Sequence, residues 1–99
     1  MTFARTALLL SAGALCWAVH FTAIYAFTGI ACARNMAGAV PWAVAAITAA
    51  AMAVATAILG VALRRRDSFE HRLAAGAIGL ALVAIAWEAL PALMVPACG

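Results

Sequence analysis

His20 and Glu88 each stand inside a long apolar stretch of a 99-residue chain. An imidazole and a carboxyl brought together can share a hydrogen bond or a proton. The pair could therefore link two helices, relay protons, or take part in a quinone or metal contact. An ionisable side chain in hydrocarbon costs about 2.5–3.5 kcal/mol on insertion scales, so each group needs a partner. A single His–Glu pair without further ligands is most simply a packing device that fixes one helix against another, and a protonated, neutral Glu88 would serve it as well as an ion pair. Trp17 lies one turn before His20 and Trp87 immediately precedes Glu88, which predicts an aromatic layer around the polar one. Pro91 has no N–H, so it leaves the Trp87 carbonyl without its helical donor and bends the chain beside Glu88.

By helical rise His20, fifteen residues beyond Arg5, and Glu88, sixteen beyond Arg72, reach nearly the same membrane depth, and sulfur chemistry repeats the match. Cys32 follows His20 by twelve residues and Cys98 follows Glu88 by ten, so both emerge from the same end of neighbouring helices. In an oxidising periplasm they would join as a disulfide. Copper is the rival reading. Cys32 and Met36 are four apart, as are Met94 and Cys98, and such soft ligands suit Cu(I). Methionine is also ordinary filler, so the disulfide is preferred, and Cys16 reads as a small apolar residue. Trp17, Phe21 and Tyr25 form a stripe at four-residue spacing that suits helix packing or lipid contact, with Thr22 and Thr28 completing a polar side.

The elements that must carry these groups follow from composition. Hydrophobic residues make up 70% of the chain, charged residues 9%, and lysine is absent. That balance excludes an ordinary soluble surface and predicts an integral membrane protein. The fold expected is all-α: three transmembrane helices over about 6–31, 40–63 and 73–95, in an up-down-up bundle forming one membrane domain, 1–99. Pro41 and Trp42 suit the start of the second helix at a membrane interface. Asp67, with Glu70 three residues on, suits a capping box for the third.

The net charge of +3 comes from arginine. Arg64, Arg65, Arg66 and Arg72 crowd the second connection, together with His71, and Arg5 precedes the first helix, against Arg34 alone in the first connection. This asymmetry predicts a cytoplasmic N-terminus and arginine loop, a periplasmic C-terminus, and a multi-pass protein of the bacterial inner membrane. The cluster can also touch anionic lipid, and it leaves no basic surface for nucleic acid. Arg5, the apolar run after it and Ala12-Gly13-Ala14 together suggest a cleavable signal, but the run continues to Ala31, which favours a true span.

Helices in a bilayer associate through close packing and polar contacts. Ala45, Ala49, Ala53 and Ala57 form a small-residue row on the second helix, and Ala75 with Gly79 starts another on the third. The second helix is therefore expected to be central, packing within the bundle and against other integral membrane subunits. Phosphate loops, nucleophile elbows, zinc signatures and carboxylate clusters do not occur, so no enzyme is expected and no catalytic residue is assigned. With His71 expected in the loop, roughly 24 Å from His20, this chain alone cannot clamp a bis-histidine haem.

Within helix one, Trp17-Ala18-Val19-His20-Phe21, then Tyr25 and Cys32-Ala33-Arg34, resemble a pattern in small uncharacterised bacterial membrane proteins associated with haem–copper terminal oxidases. The resemblance covers the first third of the chain. It implies an accessory subunit or assembly partner of a respiratory oxidase, with haem and copper carried by partner subunits, and it gives His20 no catalytic role. The expected function is a non-catalytic subunit of a larger respiratory complex that contributes surface, stability or a lipid or quinone niche. The alternatives are a copper-handling assembly factor using Cys32, Met36, Met94 and Cys98, and a homo-oligomeric proton-linked carrier using Glu88.

Overall fold

A computed structural model describes residues 3–64, 69–96 and 98. It contains three long helices: α1 (Phe3–Ala33), α2 (Val40–Leu63) and α3 (Phe69–Met94). Each is long and apolar enough to cross a membrane. Consecutive helices run in opposite directions, so Ala31 at the end of α1 meets Val40 at the start of α2 and Ala89 late in α3. At the far end, Ala62 late in α2 meets Ala74 early in α3 and Leu9 and Leu10 early in α1. The resulting bundle measures 50 × 22 × 16 Å. Its two ends are called the cysteine end and the arginine end.

Helix boundaries have local causes. α1 stops in a Schellman motif: the Met36 N–H donates to the Ala31 carbonyl at 2.7 Å, the Asn35 N–H donates to the Cys32 carbonyl at 3.4 Å, and Asn35 sits at a φ of 58°. Asparagine tolerates that left-handed geometry better than most residues that carry a Cβ. A single 3-10 turn, Ala37–Ala39, then leads into α2, whose first turn holds Pro41 where a missing N–H costs nothing. α3 begins at Phe69, earlier than the expected residue 73, and runs through Pro91 to Met94. The expected cap Asp67 lies outside the described residues, as do Arg65 and Arg66.

The early start of α3 corrects the reading of His71. Instead of lying in a loop, it occupies the first turns of α3 and is 4% exposed. Its Nδ1 has no hydrogen-bond partner among the described residues.

The central element is α3 rather than α2. It buries six residues, His71, Ala74, Ile78, Ala81, Ile85 and Ala89, and it packs extensively against both other helices. The alanine row on α2 points the other way, with Ala45, Ala49, Ala53 and Ala57 all exposed. The residues of α2 that enter the bundle are Val40, Val44, Ala55 and Ala62. Close backbone approach occurs elsewhere, where α1 crosses α3 at Gly13. A Cβ there would lie 3.0 Å from the Ala77 carbonyl oxygen and 3.0 Å from the Ile78 Cα. Gly79, expected in a small-residue contact row, has open space around its missing Cβ.

Candidate functional site

The bundle brings His20 and Glu88 together. α1 buries His20 to 1% exposure between α2 and α3, and its Nδ1 lies 3.4 Å from Glu88 Oε2. The other ring nitrogen is better satisfied, with Nε2 2.9 Å from the Thr48 hydroxyl on α2. At 3.4 Å the first contact exceeds the usual hydrogen-bond range of about 2.7–3.2 Å, so Thr48 is the tighter partner. Thr48–His20–Glu88 therefore ties all three helices through one imidazole. Two proton arrangements satisfy it. Nδ1–H can donate to the carboxylate while Nε2 accepts from the Thr48 hydroxyl, or Nε2–H can donate to Thr48 while Nδ1 accepts from a protonated Glu88.

Thr48 was not among the expected site residues, although the same depth count finds it. His20 is fifteen residues beyond Arg5, Glu88 is sixteen beyond Arg72, and Thr48 is sixteen before Arg64. Hydroxyls on helices are commonly satisfied by their own backbone, as Ser11 is by the Ala7 carbonyl at 2.7 Å, and so draw less notice than an imidazole.

The expected aromatic layer is corrected. Trp87 is 74% exposed and Trp17 39% exposed, so neither is packed over the buried polar groups, and Trp87 instead lines an open cleft that Glu88 also reaches. Trp17, Phe21 and Tyr25 do form a continuous outward stripe, with ring centroids 5.6 and 4.6 Å apart.

At the cysteine end, Cys32 and Cys98 form a disulfide, with Cα atoms 5.6 Å apart. Both sulfurs are bonded to each other and offer no thiolate, while Met36 and Met94 are exposed. Among the described residues no three His, Cys, Asp or Glu side chains converge. Cys16 is half-buried and packs against the cluster of Ala55, Ala62, Ala74 and Ile78, as a small apolar residue does. Arg64 and Arg72 are exposed near the arginine end.

The polar triad separates two clefts. Beyond Glu88, between α1 and α3, lies a partly open cavity of about 440 Å³ whose wall includes Tyr25, Thr28, Trp87, Glu88, Pro91 and Val95. On the opposite side, between α1 and α2, an apolar cavity of about 410 Å³ is lined by Cys16, Val19, His20, Ile47, Ala50 and Val54. The first cleft carries polar groups and the second almost none apart from His20. Comparison with known proteins finds no matching family model, no matching curated protein and no matching solved structure.

Proposed function

We propose that this chain is a non-catalytic subunit of a larger membrane complex, resident in the bacterial inner membrane with its N-terminus in the cytoplasm. The observation that carries the reading is the outward alanine row of α2. Ala45, Ala49, Ala53 and Ala57 lie on one exposed face, where a lipid-facing helix is better served by large apolar side chains and a docked helix by small ones. The central polar groups support it too, since His20 and Thr48 are engaged within the bundle. The arginine asymmetry supports the orientation, and the disulfide fits a cysteine end in an oxidising compartment.

The resemblance of helix one to oxidase-associated membrane proteins suggests the complex: a haem–copper terminal oxidase whose other chains hold the haem and copper. α2 would dock against one of their helices, while lipid covers the remaining faces.

Mild-detergent purification through a tag on this chain tests the reading. Haem-bearing subunits should travel with it, and Ala49→Leu should release them while leaving the bundle and its disulfide intact. Recovery of the chain alone as a homo-oligomer would overturn the subunit reading. Proton-coupled flux by that oligomer in liposomes, lost on Glu88→Gln, would assign it as a carrier.

A further inference from the structure

The cleft between α1 and α3 has a chemical character that subunit docking does not require. Its volume of about 440 Å³ falls within the range of roughly 300–1,000 Å³ common to small-molecule sites. Most of its wall is apolar: Ile24, Val40, Ala92, Val95 and the two prolines. The polar groups on it are rich in acceptors. Glu88 brings a carboxyl whose side chain is 15% exposed, and Tyr25 and Thr28 bring hydroxyls. Pro91, also on the wall, removes the helical donor of the Trp87 carbonyl and so adds another acceptor on that side of α3. A ligand that satisfies the Glu88 and Trp87 oxygens must donate hydrogen bonds from an otherwise apolar body, while the Tyr25 and Thr28 hydroxyls can donate or accept.

Two further features narrow the class. The Tyr25 and Trp87 side chains, 61% and 74% exposed, both line the cleft, Tyr25 with its ring against Phe21, and such an aromatic lining favours a planar ring. The largely apolar wall favours a neutral molecule over an ion, whose lost hydration little on the wall would replace.

We propose that this cleft binds a lipid-soluble phenolic molecule, a ring hydroxyl donating to Glu88 and its neighbours while the ring lies between Tyr25 and Trp87. The hydroquinone form of a quinone has this chemistry; the oxidised form lacks the donors. The site therefore prefers the reduced form. Binding belongs to the isolated chain and does not depend on the docking partner proposed above.

The test uses the full chain in lipid nanodiscs, with Trp17→Phe and Trp42→Phe so that Trp87 alone reports. A short-chain alkyl hydroquinone, kept reduced, is titrated against protein-free nanodiscs as blank. Saturable change in Trp87 emission is expected. Thr28→Val, which leaves His20, Thr48 and Glu88 in place, should weaken binding about five- to tenfold, the value of one net hydrogen bond. The dimethyl ether of the same hydroquinone and the oxidised quinone should each bind at least about tenfold more weakly, having lost the donors. Equal binding of the dimethyl ether would make the cleft a groove for acyl chains and overturn the proposal. Displacement by tetraphenylphosphonium with no effect of Thr28→Val would overturn it in favour of a cation site. Absence of any saturable signal would also sink it.

Discussion

The cysteine half and the arginine half of this bundle hold the same three helices by different means. Toward the cysteine end, the Thr48–His20–Glu88 triad and the disulfide join the helices through directional bonds, with Ile24, Val44 and Ala89 packed between them. Toward the arginine end, contact rests on shape: Ala55, Ala62, Ala74 and Ile78 interlock with Leu9, Leu10, Ile58 and Leu59, and Gly13 lets α1 touch the α3 backbone. Lipid tails are as apolar as these side chains, so association in a bilayer is held by such contacts rather than by expulsion of water. Directional bonds fix which atoms meet. Close packing fixes how near the axes come.

The contrast is sharpened most by breaking the disulfide. Chain-entropy reasoning for a separation of 66 residues gives about 4 kcal/mol for Cys98→Ser, an upper bound because helices that stay inserted are already confined. SDS titration in mixed micelles should show a lower midpoint for the variant and for the reduced wild type, and no response of the variant to reductant. Gly13→Leu comes next. It places atoms against backbone that cannot swing aside, and roughly 3 kcal/mol should be lost, with the arginine half loosening first. Cysteine cross-linking between early α1 and early α3 would report that separation.

His20→Leu follows at about 1–2 kcal/mol, the scale of interhelical hydrogen bonds in membranes. A double-mutant cycle with Thr48→Val should show stronger coupling than one with Glu88→Gln, since the contact at 2.9 Å is the shorter. Equal coupling to both would erase the ranking of the two partners. The smallest effect, opposite in sign, belongs to the other histidine. His71→Leu removes a buried nitrogen that has no partner among the described residues, so stability should hold or rise by up to about 1 kcal/mol in the same SDS titration. A large loss on His71→Leu would show that the arginine half also depends on a directional bond.

The sequence made some of this legible and hid the rest for physical reasons. Depth is readable because α-helical rise is constant, so counting from the arginines placed His20 and Glu88 on one level, and the cysteines on another. Facing is much less readable when nearly every side chain is apolar. Hydrophobic periodicity then carries no contrast between inside and outside, and the alanine row of α2 proved to be outward while the bundle gathered around α3. The two tryptophans differ by their spacing: Trp87, one residue from Glu88, is turned about 100° away from it around the helix, whereas Trp17, three residues from His20, is offset by about 60° and is the less exposed of the two. Gly13 escaped notice because a single glycine among small residues has no pattern, and only the crossing of α1 over α3 shows why a Cβ cannot be accommodated there.

The bond between Cys32 and Cys98 turns a linear chain into a covalent loop that encloses the second and third helices. A protease cutting at Arg64 would leave two pieces migrating together until a reductant separates them. Synthesis order adds a second consequence. Residue 98 leaves the ribosome after α1, α2 and α3 have been made, so a nascent chain truncated before it can never acquire this link, and the oxidised species is a chemical sign that translation ran past α3.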